Sequence, residues 1–218
     1  NICKSTTLRR LSIMKSKILL GSVTLLSAFI LAACGNGDKK TSEFLEEPTT
    51  EVTITADASD ETKAVSYTDT QRIGSDDIGY VNIPKDWIFT KSQYAEEILQ
   101  YESKDKNTRV LLNSFAKNDV HPQNQDAFGV KFITTYLYNT LRSEETVVDI
   151  DGEWSKVAGM NAYVLKSHKR NGEYLFDWFF QKGEKVYVFG LEGTEENITT
   201  FRPMLEQSWG LDPKTPGK

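Results

Sequence analysis

Two tight-turn signals in the C-terminal half of the chain constrain its fold more than any other feature. Asn171-Gly172 is the strongest hairpin signal in the sequence, because both residues tolerate a positive φ. Lys182-Gly183 marks a second tight turn. The extended segments 162–167, 173–180 and 186–191 are therefore predicted to form a three-stranded antiparallel meander.

Large apolar side chains occupy both faces of these predicted strands. In the central strand, four aromatic residues share one face, namely Tyr174, Phe176, Trp178 and Phe180. Leu175 and Phe179 lie on the opposite face, with Asp177 between them. Because each face of the predicted sheet is rich in apolar residues, both faces are expected to be covered, at least in part.

The upstream part of the domain is predicted to contain further strands and one helix. Short extended segments are predicted at residues 78–83, 87–90, 98–103, 109–115 and 146–150, the last leading into a turn at Asp151-Gly152. Residues 127–142 are predicted to be helical, because four apolar residues form one stripe: Val130, Ile133, Leu137 and Leu141. A last helix is predicted from Thr194, and Pro203 is expected to kink or divide it.

Residues 14–34 have the layout of a secretory signal peptide. Lys15 and Lys17 supply a short positive region, residues 18–30 form an uncharged, mainly apolar run, and small residues precede Cys34. The run is shorter than the ~20 residues of a comfortable membrane span.

Leu31-Ala32-Ala33-Cys34 resembles the lipobox of bacterial lipoproteins. The resemblance implies cleavage between Ala33 and Cys34 and transfer of a diacylglyceryl group to the Cys34 thiol. Since two acyl chains anchor a protein stably, the mature chain is expected at the extracytoplasmic face of the cell membrane.

Residues 1–13 do not fit a signal peptide that begins at Met14. We favour a mis-assigned start, in which Arg9-Arg10 is the in-frame reading of a purine-rich ribosome-binding sequence. The alternative is a natural extension whose basic residues, Lys4, Arg9 and Arg10, belong to the positive region of the signal peptide.

Residues 34–70 are predicted to be a lipidated cysteine followed by a flexible acidic linker. After Cys34, acidic residues outnumber lysines nine to three and large apolar residues are few. Such a composition does not bury enough apolar surface to offset the entropy of ordering. The globular domain is then expected to span residues 71–212, with a tail at 213–218.

Composition and motifs argue against several classes of protein. The net charge of −5 disfavours a nucleic-acid binder, which needs a basic face. Loss of Cys3 and lipidation of Cys34 would leave no thiol for a disulfide or a metal site. The sequence lacks a nucleophile elbow and a phosphate-binding loop. We predict no catalytic residue, no metal site and no cofactor.

The remaining candidate binding residues lie near the predicted hairpin tip. Lys166, His168, Lys169 and Arg170 could form a patch for an anionic ligand or a partner, although a charged tip is more often only solvated. Trp154, which follows the predicted turn at Asp151-Gly152, is expected to be the most exposed tryptophan and is added to this candidate patch.

The domain resembles the PsbP-like α/β/α sandwich found in several bacterial lipoproteins. The resemblance is carried by the segments YVNIPKDW, GMNAYVLK, YLFDWFF, KVYVFGL and ITTFRPMLEQSW. It implies an α+β fold with a mainly antiparallel sheet flanked by helices. It also implies a non-catalytic adaptor or ligand-binding module. Tethered at the membrane, such a module is expected to act with an envelope protein or a wall polymer.

An alternative interpretation is an extracytoplasmic hydrolase with an unrecognised carboxylate site. Asp149, Asp151 and Asp177 are the candidate carboxylates. Paired carboxylates perform acid–base chemistry only when they are spatially matched, so this alternative depends on their arrangement in the fold.

Overall fold

The computed structural model describes residues 66–91 and 98–218. Ala33, Cys34, the predicted signal peptide and the predicted linker up to residue 65 lie outside the described residues. Among the described residues, no helix has the length and apolar character needed to cross a lipid bilayer.

The described chain contains nine strands and two α-helices. The strands are β1 Thr70–Ser75, β2 Gly79–Pro84, β3 Ile88–Phe89, β4 Leu99–Glu102, β5 Arg109–Ala116, β6 Val147–Val157, β7 Met160–Lys169, β8 Tyr174–Lys182 and β9 Lys185–Gly193. The helices are α1 Val130–Arg142 and α2 Glu195–Ser208, and two short 3₁₀ segments, Lys117–Asp119 and Pro122–Ala127, precede α1.

The strands form one large antiparallel sheet and one separate hairpin. The seven-stranded sheet has the order β3-β4-β5-β9-β8-β7-β6, and β1 pairs only with β2. Strands β6 to β9 follow one another as a four-stranded antiparallel meander, joined by turns that include Asn171-Gly172 and Lys182-Gly183. The predicted α+β fold with a mainly antiparallel sheet is confirmed.

One face of the sheet packs against α2 and the β1–β2 hairpin, and we call it the α2 face. Trp178, Phe180 and Phe189 lie in this core with Ile198 and other apolar residues of both covering elements. Trp209, which follows α2, packs edge-on against Phe180 with ring centroids 4.6 Å apart. Complete burial of such aromatic rings supplies a large share of the hydrophobic stabilisation.

The opposite face packs against α1, and we call it the α1 face. The buried residues of α1 include Ile133, Leu137 and Leu141, the stripe that the helical periodicity predicts. On the sheet, Leu165, Leu175 and Phe179 alternate with the residues of the α2 face and are also buried. Both faces of the sheet are therefore covered, as predicted.

The predicted turn at Asp151-Gly152 is wrong, because β6 runs through it without interruption. Asp151 pairs with Lys166 and Gly152 pairs with Leu165 in the ladder between β6 and β7. A Cβ atom at Gly152 would lie 2.2 Å from the hydroxyl oxygen of Tyr163. The glycine is needed here because the Tyr163 ring packs over the strand, and not because the chain reverses direction.

We expect Gly152→Ala to lower the free energy of unfolding by about 1–3 kcal/mol, because the new methyl group overpacks the site. Chemical denaturation of the single variants and of Gly152→Ala/Tyr163→Ala measures the effect as a double-mutant cycle. Without the Tyr163 ring, the added methyl group should cost almost nothing. Equal costs in both backgrounds would show that the ring is not the reason for the glycine.

Other boundaries also differ from the predicted ones. Helix α1 begins at Val130, after Gly129, because residues 122–127 form a 3₁₀ segment. Strand β1 was not predicted, and α2 continues through Pro203 as one helix. The predicted tail folds back on the domain, since the Gly217 amide donates to the Ser208 carbonyl at 3.0 Å.

Candidate functional site

The predicted patch is divided by the alternation of β7. Lys166 and His168 lie on the α2 face, whereas Lys169 lies on the α1 face. Arg170 is exposed in the turn that follows β7. The structure therefore brings Lys166 and His168 together on one face and separates Lys169 from them.

Lys169 is part of a buried ion pair instead of a surface patch. Its residue exposure is 6%, and its ammonium binds the carboxylate of Glu192, which is 2% exposed. Arg109 also approaches Glu192, with Nη1 3.4 Å from Oε2. Lys169 is consequently a structural residue of the α1 face, out of reach of a ligand bound at the surface.

Trp154 is the most exposed of the four tryptophans, as expected. It is half-buried on β6, whereas Trp87, Trp178 and Trp209 are all buried. Its ring packs edge-on against Tyr163 with centroids 5.1 Å apart, on the α1 face. Trp154 thus lies on the opposite side of the sheet from Lys166 and His168.

Lys166 and His168 belong to an aromatic and polar surface that we call the β7–β8 surface, defined by Lys166, His168, Tyr174 and Phe176. All four side chains are half-buried. His168 and Tyr174 are strand partners, and their rings stack at 4.4 Å with an interplanar angle of 11°. The Phe176 ring lies 5.8 Å from the Lys166 ammonium, a cation–π distance.

The guanidinium of Arg202, a residue of α2, borders this surface and links it to β6 through an ion pair. Its guanidinium lies 5.9 Å from the centre of the Phe176 ring, and Nη1 contacts Glu153 at 2.9 Å. Glu153 also pairs with Lys166. Partial burial acts to raise the pKa of Glu153, but the hydrogen bonds from Lys166 and Arg202 outweigh it, so the pKa lies below its usual value.

Glu206 connects α2 to the sheet beside the β7–β8 surface through hydrogen bonds. One oxygen, Oε1, accepts hydrogen bonds from Trp178 Nε1 at 2.8 Å, Ser155 Oγ at 2.8 Å and Arg202 Nε at 2.9 Å. Trp178 is completely buried, so Glu206 satisfies a donor that water cannot reach.

We expect Glu206→Ala to lower the free energy of unfolding by about 1–3 kcal/mol, because it leaves the Trp178 indole N–H buried without an acceptor. Thermal and urea denaturation measure the loss. Gln207→Ala is the matched control, since Gln207 is the next residue of α2 and is exposed. A loss no larger in Glu206→Ala than in Gln207→Ala would contradict this role.

Comparison with known proteins finds similarity only at the level of solved structures. No family model matches the chain, and no curated protein matches it. The chain is similar to cyanobacterial PsbP (CyanoP) from Synechocystis sp., with 13% identity, a TM-score of 0.47 and coverage of 66% of this chain and 91% of that one.

Two further solved structures are similar over much of their length. The Ran-binding protein Mog1p of Saccharomyces cerevisiae is 8% identical, with a TM-score of 0.38 and coverage of 61% of this chain and 82% of that one. LpqN, involved in cell envelope biogenesis of Mycobacterium tuberculosis, is 14% identical, with a TM-score of 0.34 and coverage of 63% of this chain and 87% of that one. The fold assignment itself rests on the strand order and layers described above.

The three carboxylates of the hydrolase alternative do not converge. Asp149 and Asp151 are exposed on the α2 face of β6. Asp177 is buried on the α1 face, where it pairs with Leu165 across the ladder. The sheet therefore separates Asp177 from the other two. Among the described residues, no group of three or more histidine, cysteine or acidic residues could hold a metal ion.

Sequence reasoning missed Glu153, Arg202 and Glu206, the polar residues that frame the β7–β8 surface. Glu206 and its partner Trp178 are 28 positions apart, so no local pattern connects them. One available signal was the alternation of β6 and β7, which places Glu153 and Lys166 on the same face once the register of the two strands is known.

Proposed function

We propose that the chain is a lipoprotein anchored through Cys34 and that its folded domain is a non-catalytic binding or adaptor module at the extracytoplasmic face of the cell membrane. The observation that carries this proposal is the sequence Leu31-Ala32-Ala33-Cys34, which follows a short positive region and an apolar run. In this context the cysteine is the acceptor of the lipid, and Ala33-Cys34 is the cleavage site.

The spacing between Cys34 and the domain supports this proposal. The first described strand begins at Thr70, which leaves a polar and acidic segment between the cysteine and the fold. A flexible chain of that length has an end-to-end distance of roughly 30–35 Å. In the proposed arrangement this segment holds the domain clear of the lipid headgroups, where it is able to meet a partner.

The β7–β8 surface is the proposed site of ligand or partner binding on the α2 face. Stacked rings at His168 and Tyr174 offer a flat apolar contact, and Lys166 offers a hydrogen-bond donor beside them. Lys166 and Arg202 are already neutralised by Glu153 and Glu206, so the surface presents polarity with little net charge. Such a surface suits an envelope protein or a wall polymer better than a polyanion.

Anchoring is tested by cell fractionation of the wild-type chain and the Cys34→Ala variant. We expect the wild-type chain in the membrane fraction, extracted only by detergent, because two acyl chains bind a bilayer stably. The variant should leave this fraction while keeping the circular dichroism spectrum of the folded domain. A Cys34→Ala chain that stays in the membrane fraction would contradict the proposal.

Binding is tested by crosslinking in cells followed by purification and mass spectrometry. We expect one abundant envelope partner that is lost in Cys34→Ala and reduced in His168→Ala/Tyr174→Ala. Lys117→Ala, at an exposed position outside the β7–β8 surface, is the control and should retain the partner. An unchanged partner in both test variants would contradict the role of the anchor and of this surface.

A further inference from the structure

Strand β6 forms one end of the seven-stranded sheet and is its longest strand, with 11 residues. β7 pairs with one edge of β6, and no strand among residues 66–91 and 98–218 pairs with the other. The free edge of a strand presents a row of backbone N–H and C=O groups to which a further strand can bind.

The two faces of β6 differ in chemistry near this edge. Asp149 and Asp151 are exposed on the α2 face, and neither forms an ion pair with another described residue. Ile150 and Trp154 are half-buried on the α1 face. A strand added here would therefore meet carboxylates on one of its faces and apolar side chains on the other.

The register of β6 changes at one point along this edge. The pairing with β7 shifts between Val147 and Asp149, and Val148 at the irregularity is 57% exposed. The regular part of the ladder begins at Asp149 and continues to Val157. An added strand would therefore find a regular edge from Asp149 onwards, with an apolar contact at Val148 where the edge begins.

A second copy of this chain, paired symmetrically about Gly152, is a poor occupant of the edge. Antiparallel pairing of two β6 strands centred on Gly152 would place Asp151 opposite Glu153 of the second copy, and like charges directly opposite are destabilising. The segment that links Cys34 to the domain is itself acidic, so charge repulsion from Asp149 and Asp151 also disfavours this segment as an occupant of the edge. Charge complementarity requires a basic strand instead.

We propose that the outer edge of β6 binds an extended basic segment of a partner protein, in which Lys or Arg alternates with apolar residues, as an additional antiparallel strand. The basic residues pair with Asp149 and Asp151, and the apolar residues pack beside Ile150 and Trp154. This proposal goes beyond the proposed binding at the β7–β8 surface, because it assigns a second interaction site and the chemistry of its partner.

The test uses the purified full chain in detergent micelles and a labelled eight-residue peptide of alternating Lys and Val, with fluorescence anisotropy as the readout. We expect binding that weakens at high salt and slower hydrogen exchange of β6 amides in the complex. Asp149→Lys/Asp151→Lys should weaken binding at least tenfold. Asp126→Lys/Glu184→Lys, an equal charge change at two exposed positions, is the control and should weaken it less than threefold.

Backbone pairing is separated from simple charge attraction by two N-methylated forms of the peptide. One form carries methyl groups on the backbone nitrogens of the Lys residues, and the other carries them on the backbone nitrogens of the Val residues. Because only one edge of an added strand faces β6, we expect the two forms to differ at least tenfold in affinity. Equal affinities, or equal binding of a peptide with the same composition and no alternation, would overturn the proposal.

Two results together would also overturn the proposal: no binding of the peptide by the wild-type chain, and self-association of the Asp149→Asn/Asp151→Asn variant. The two carboxylates would then serve only to keep the β6 edges of two copies apart. Failure of the peptide assay leaves the anchoring result untouched, since fractionation does not depend on β6. Conversely, peptide binding by the purified chain does not depend on lipidation, so the two proposals fail separately.

Discussion

Lys169→Met is expected to lower the free energy of unfolding by about 3–5 kcal/mol, because it removes one partner of a buried ion pair. The side chains of Lys169 and Glu192 are 7% and 3% exposed. Without the ammonium, Glu192 keeps the longer contact to Arg109 as its one remaining ion pair within residues 66–91 and 98–218, and it remains close to a second buried carboxyl, that of Asp177. Urea denaturation at neutral pH measures the loss.

Two further variants separate this effect from a general loss of charge. Arg170→Met removes the neighbouring cation, which is exposed, and should cost less than about 1 kcal/mol. Lys169→Met/Glu192→Gln removes both charges and should recover part of the stability lost in the single variant. A loss below about 1 kcal/mol in Lys169→Met would show that water solvates this pair.

Asp177→Asn is expected to remove a pH dependence of stability that the wild-type protein shows between about pH 4 and pH 7. Burial raises the pKa of Asp177 to about 7, Lys169 opposes the rise, and Glu192 adds to it. The carboxyl lies over Gly190 beside the side chains of Leu111 and Leu175, and its Oδ2 has no hydrogen-bond partner among the residues that the structure describes.

The direction of this pH dependence follows from whether the folded or the unfolded state holds the proton. Between the ordinary pKa of 3.8 and about 7, the folded protein keeps a proton on Asp177 that the unfolded chain has released. The free energy of unfolding therefore falls as the pH rises through this window, and outside the window Asp177 adds no further pH dependence. The asparagine variant lacks this fall.

The measurement is urea denaturation of wild type and Asp177→Asn at pH 4, 6 and 8. We expect the stability of the variant relative to wild type to increase by about 2–4 kcal/mol from pH 4 to pH 8. Val164→Ala is the control, because Val164 is buried on the opposite face of the sheet from Asp177 and its cost should not change with pH. Parallel curves for wild type and Asp177→Asn would refute the assignment.

Local signals predicted the meander, because its turns depend on neighbouring residues. Asn171-Gly172 forms the tight turn between β7 and β8, with φ of 84° at Gly172. The alternation of aromatic residues in β8 likewise depends only on the pleat of one strand. These elements form as predicted because their main determinants lie within a few residues of one another.

Elements that depend on distant contacts were not predictable from local patterns. Gly152 follows an aspartate, as in many turns, but the Tyr163 ring on the neighbouring strand explains its presence. Strand β1 carries mixed polar residues and buries only Ile73, so pairing with β2 defines it. Neither contact can be recognised from the residues that neighbour Gly152 or β1 in the sequence.

The candidate patch shows how a cluster in sequence differs from a cluster in space. Lys166, His168 and Lys169 are close along the chain, but alternation places Lys169 on the face shared with Tyr163 and Leu165. Applying the two-residue period to residues 162–169 would have separated them in advance. The burial of Glu192, the ion-pair partner of Lys169, could not be predicted from the sequence and is seen only in the folded structure.

Anchoring is tested most directly by mass spectrometry of the N-terminal peptide of the chain extracted from membranes. We expect Cys34 to be the first residue and its sulfur to carry a diacylglyceryl group. Treatment with base should then remove the ester-linked acyl chains and shift the peptide mass accordingly. A membrane-extracted chain whose Cys34 is internal, or whose thiol is free, would contradict the proposed anchoring.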